Sequence, residues 1–122
     1  MNKKLEQIAS KDGRFSTNAI KFVYEGLGYT MENVTDEPPH ITGQTLCEGL
    51  RKLALEKWGR LAKLVLNIWG IKTTRDFGEI VYLMIRHKMM SAQPTDTVDD
   101  FDDVYDFQQV FKDKFSFENT QR

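Results

Sequence analysis

The sequence predicts a mainly α fold: a single domain with a helix-turn-helix core, winged-helix-like in its order, and a small β-hairpin as its candidate β element. Three observations lead there. From His40 to Phe107 the helix boundaries are written in local chemistry: Thr42-Gly43-Gln44 opens a helix that Trp58-Gly59 breaks, a second runs from Arg60 to Trp69-Gly70, and Thr73-Thr74-Arg75-Asp76 opens a third. Apolar residues recur in these segments at helical spacing. The chain's 122 residues suit one domain, and its 40% hydrophobic and 29% charged content is that of an ordinary globular protein with its own core.

In chain order, residues 3–10 predict a short helix ending near Lys11-Asp12-Gly13. Ser16 or Thr17 caps a stronger helix over 16–30, striped by Ala19, Phe22, Val23 and Leu27 and widened by Ile20 and Tyr24. Pro38-Pro39 forbids helix, so 34–39 is a connector, and His40-Ile41-Thr42 has room for one strand rung. Leu46, Leu50, Leu53, Ala54 and Trp58 then line one helix, and Leu61, Leu64, Val65, Ile68 and Trp69 line the next. The third, 74–88, carries Phe77, Ile80, Val81 and Met84 on its stripe and Tyr82, Leu83 and Ile85 off it, which predicts burial on several sides. Thr73 with Asp76, or Asp76 with Glu79, supplies its capping box. Met89–Gln93 and Val104–Phe107 read as the two strands of the hairpin, the wing, with Pro94–Asp103 as their loop. Asp106 caps a last helix on Phe107, Val110, Phe111 and Phe115. Residues 1–14 are thus expected as an N-terminal extension, 15–115 as the core and 116–122 as a flexible tail.

Composition excludes several classes. No apolar run reaches the roughly 20 residues that span a bilayer, and Met1-Asn2-Lys3-Lys4-Leu5-Glu6 lacks the apolar core of a signal peptide. Cys47 is the only cysteine, which forbids an internal disulfide and a cysteine-based zinc site and points to the cytoplasm. The net charge of −1 conceals two halves: residues 1–90 carry 14 Lys/Arg against 10 Asp/Glu, and residues 91–122 carry 3 against 8. The acidic excess gathers in Asp96, Asp99, Asp100, Asp102, Asp103 and Asp106, a cluster that repels phosphate and suits cationic partners, or is a solvated loop.

His40-Ile-Thr-Gly-Gln, Leu53-Ala-Leu, Trp69-Gly-Ile, Thr-Arg-Asp-Phe-Gly-Glu-Ile-Val and Asp100-Phe…Asp-Val-Tyr-Asp-Phe107 follow one another in this order. By these motifs the chain resembles, over residues 15–115, a family of small proteins of unassigned function from planctomycete and verrucomicrobial bacteria. The resemblance implies a bacterial, intracellular protein and carries no activity, substrate or cofactor.

Asp76-Phe77-Gly78 spells the metal-binding tripeptide of protein kinases, but the chain lacks the other kinase loops, and helix capping explains Asp76. His40 and His87 lie on different elements without metal-ligand spacing. Cys47, one turn into a helix, is pulled toward thiolate by the helix dipole and toward an inert thiol by its apolar side. Neither frame of the aspartate run, from Asp96 or from Asp99, puts glycine at position six as a calcium loop requires. No catalytic set, cofactor site or metal set is therefore expected.

A groove-reading helix needs polar side chains along its face. Helix 74–88 offers Arg75, Arg86, His87 and Lys88 at its ends only, and the predicted wing is acidic. The favoured reading is a non-enzymatic cytoplasmic adaptor or regulatory module with a protein partner or a second copy, through a candidate interface of Phe101, Asp102, Asp103 and Tyr105. The alternative is a nucleic-acid-binding regulator that grips through Lys52, Lys57, Arg60 and Lys63.

Overall fold

Capping chemistry sets most of the helix starts. The computed structural model describes residues 2–34, 41–90 and 98–112. Among them are α1 (Asn2–Asp12), α2 (Thr17–Asn33), α3 (Gly43–Trp58), α4 (Ala62–Ile68), α5 (Thr74–Arg86) and α6 (Phe107–Lys112), with 3₁₀ turns at Gly59–Leu61 and Val98–Phe101. Ser16 Oγ accepts the Ala19 amide at 3.2 Å at the start of α2, and Thr42 Oγ1 accepts the Thr45 amide at 3.0 Å at the start of α3. The Asp76 carboxylate accepts the amides of Lys72 at 2.8 Å and Thr73 at 3.2 Å ahead of α5. Asp106 Oδ1 accepts the Gln108 amide at 3.0 Å and opens α6. Removing one such cap costs about 1 kcal/mol. Asp76→Ala is therefore expected to lower thermal stability by that amount in a melting experiment, with the fold otherwise retained.

The core is one cluster assembled from every α-helix and from the turn at Val98–Phe101. The helices α2 and α3 pack closely, with Leu50 and Leu53 of α3 against Gly26 of α2 and Thr30 of α2 against Gly49 of α3. Phe22, Trp58 and Trp69 form a ring cluster at centroid distances of 5.2–6.3 Å. Gly70, at φ +98°, turns the chain out of α4, and the Ile71 amide reaches back to the Leu66 carbonyl at 2.9 Å. As its sequence predicts, α5 is buried on several sides, through Phe77, Ile80, Val81, Leu83 and Met84, against α2, α3 and the 98–101 turn.

Three expectations are corrected. Residues 1–14 read as an extension, yet α1 inserts Leu5, Ile8 and Ala9 into the core, because these positions share one helical face. No strand occurs among the described residues. Met89 and Met90 form a bend and Val104–Asp106 irregular chain leading into α6, while 91–93 and the first four residues of the expected loop, 94–97, lie outside them. Tertiary bonds hold the 104–106 segment instead: the Val104 amide donates to Thr74 Oγ1 at 3.2 Å, and the Tyr105 hydroxyl donates to the Cys47 carbonyl at 2.7 Å. Ile41 and Thr42 form no rung; Thr42 is the cap of α3. Phe115 and the tail 116–122 also lie outside the described residues.

Candidate functional site

The acidic segment is clamped to α5. Arg75 Nη1 donates to Asp99 and to Asp102 at 3.0 Å each, and Arg75 Nε donates to Glu79 at 3.1 Å. Its hydrogen bonds to Asp102 and then to Glu79 hold the guanidinium above its ordinary range. Behind this pair Phe101 is only 4% exposed, and its carbonyl accepts the Thr74 hydroxyl at 2.6 Å. Tyr105 is half-buried against Phe107 and Phe111, and burial pushes its phenol well above the usual value. Of the four residues of the candidate interface, the structure thus places Phe101 in the core and Tyr105 at its edge. Asp102 and Asp103 remain on the surface.

Cys47 is fully buried, and burial, followed by the neighbouring Glu48 charge, pushes its thiol up to about 12. Desolvation outweighs the dipole of α3 here, so the thiol is inert toward ordinary electrophiles near neutral pH. Asp76 serves the capping role described above. His40 lies outside the described residues; His87, at the C-cap of α5, is half-buried beside α1. Among the described residues no group of three or more His, Cys, Asp or Glu side chains is placed to hold a metal ion. None of the helices there is long and apolar enough to cross a membrane.

Lys52, Lys57, Arg60 and Lys63 lie on α3, the 3₁₀ turn and α4, on both sides of Gly59 in sequence, and the structure does not bring all four into one site. Lys52 and Arg60 line one open cavity of about 620 Å³, and Lys57 is paired with Glu25 at 3.1 Å. Arg60 and Lys63 line a second cavity of about 460 Å³ whose other walls are Leu61, Leu64, Asn67, Gln108 and Phe111.

That second cavity belongs to a surface the sequence stripe misassigned. Leu61, Leu64 and Ile68 were expected to face the core, but they are 51%, 55% and 71% exposed, and Ala62 and Leu66 are buried in their place. Residues 61–69 are apolar at nearly every position, so both phases of the helix satisfy a periodicity test. Gly59, at φ +54°, and the 3₁₀ turn after it set the phase that is adopted. Three large exposed apolar side chains within eight residues, Leu61 on the 3₁₀ turn and Leu64 and Ile68 on α4, are an unusual surface, whereas a single exposed leucine is not.

No protein-family model, no curated protein and no solved structure matches the chain.

Proposed function

We propose that this chain is a non-enzymatic protein-interaction module of the bacterial cytoplasm, built on a helix-turn-helix-like succession of α3, α4 and α5. The observation that carries the reading is the outward row Leu61, Leu64 and Ile68. Apolar anchors inside a charged rim are how docking faces are usually composed. The rim here is basic, from Arg60 and Lys63, so the partner it suits is an apolar protein segment flanked by carboxylates. Of the acidic residues, Asp99 and Asp102 serve as a clamp on Arg75.

A paired capture experiment tests this. Tagged wild-type chain and a Leu64→Glu/Ile68→Glu variant are incubated with bacterial lysate, with and without nuclease, and bound proteins are read by mass spectrometry. The expected result is a protein that survives nuclease and is lost with the variant, at an unchanged melting temperature, since these side chains are already solvated. A partner kept by the variant overturns the reading, as does sedimentation showing that the face joins two copies of the chain instead. The second reading, nucleic-acid contact through Lys52, Lys57, Arg60 and Lys63, draws on the adjoining cavities that Lys52, Arg60 and Lys63 line. It takes over if recovery requires intact nucleic acid and falls steeply with salt.

A further inference from the structure

We infer that the cavity between α1 and the end of α5 is a binding site for a small phosphate-bearing anion. It measures about 310 Å³ and is lined by Lys4, Gln7, Ile8, Lys11 and His87. Lys4, Gln7 and Lys11 are spaced three and four residues apart and so share one face of α1, while His87 comes from the far end of the chain's most buried helix. Ile8, 1% exposed, supplies an apolar floor.

The donors are unspent. Among the described residues, carboxylates are paired with Arg14, Arg51, Lys57 and Arg75, none of which lines this cavity. The cavity has no carboxylate in its lining, and the side chains of Lys4, Gln7, Lys11 and His87 make no hydrogen bond or ion pair among the described residues. Asp12, one residue beyond Lys11, is engaged by Arg14 at 2.8 Å, and the charge of Arg86 further holds its carboxyl below the usual range. It is not free to neutralise the lysines.

A helix C-terminus ordinarily repels anions through its orphan carbonyls. Here three of the last four are occupied. The amides of His87, Lys88 and Met89 reach back to the carbonyls of Leu83, Ile85 and Met84 at 3.2, 3.0 and 2.9 Å. This closure puts Lys88 at φ +61°, a conformation that costs a non-glycine residue about 1 kcal/mol. It fixes the backbone beside His87 and so gives the cavity one rigid wall. Two ammonium groups, an amide and an imidazole approaching from two elements match a tetrahedral dianion, which accepts hydrogen bonds in several directions at once. The cavity lies at the lower end of the roughly 300–1,000 Å³ range of small-molecule sites, which favours a compact ligand over a polymer.

The probe is inorganic pyrophosphate, titrated at low salt into the full chain and followed by amide chemical shifts. The expected shifts concentrate on Lys4–Lys11 and on His87 and Lys88. In Lys4→Gln/Lys11→Gln the affinity should fall by about tenfold, the effect of losing two charge-assisted donors. His87→Gln should remove the shifts at the end of α5 while its melting curve matches the wild type. Vesicles of phosphatidylcholine with phosphatidic acid form the second arm and separate a lipid headgroup from a free phosphate. Binding to the vesicles without a response to pyrophosphate overturns the inference. So do shifts spread equally over Lys57 and Lys63, or an affinity indifferent to the double substitution.

Discussion

Phe101→Ala is expected to destabilise the protein by about 3–5 kcal/mol, the range for removing a buried aromatic ring. The ring lies on two bare backbone sites. A Cβ placed on Gly78 would stand 2.6 Å from its Cγ and Cδ1, and a Cβ on Gly43 would stand 3.0 Å from its Cε1. Phe101 therefore joins the 98–106 segment to the starts of both α3 and α5. The Thr74 hydroxyl, donating to the Phe101 carbonyl and accepting from the Val104 amide, fixes the segment's course but cannot replace the apolar contact. Chemical or thermal denaturation checks the magnitude. Asp102→Lys is the control, because it breaks only exposed ion pairs to Arg75 and should move the melting temperature far less. The opposite ranking would mean that the segment is held by charge, and that Phe101 is available to a partner.

The helix starts were legible in the sequence because caps are local. Ser16, Thr42, Asp76 and Asp106 each act on an amide two to four residues away, within the reach of a sequence pattern. The burial of α5 was legible for a related reason, since the unbroken apolar run from Ile80 to Ile85 leaves little polar surface along that stretch. The role of Phe101 was not. Its seats, Gly43 and Gly78, are remote in sequence, and an aromatic residue among aspartates looks the same whether it anchors a partner or fills a core. Val104-Tyr105-Asp106-Phe107 reads in sequence as a returning strand, whereas the segment is held by Thr74 and Cys47, from two different helices. The outward face of α4 escaped because phase, not composition, decides which leucines are solvated, and one glycine's backbone sets the phase. The cavity beside α1 was hidden because Lys4, Lys11 and His87 converge only in the tertiary fold.

Backbone approach also governs the largest helix contact, and there the expected result is sharper. Gly49 on α3 faces Thr30 on α2, and a Cβ at Gly49 would fall inside the shell of Thr30 Oγ1 and 2.8 Å from its Cβ. Thr30 cannot turn aside without loss. It is fully buried, and its hydroxyl donates to the Gly26 carbonyl at 2.7 Å. Gly49→Ala should thus force α2 and α3 apart and destabilise by about 2–3 kcal/mol, although alanine is the better helix former by up to about 1 kcal/mol. Thr30→Ala alone should cost about 1 kcal/mol, a modest loss because the Gly26 carbonyl keeps its place in the helix ladder. In combination the two should cost less than their sum by more than about 1 kcal/mol, since truncating Thr30 vacates the space that the new methyl enters. Denaturant melts of the four chains close this cycle. Additivity would mean that α2 and α3 do not meet at Gly49 and Thr30, and the core would need another arrangement of its first three helices.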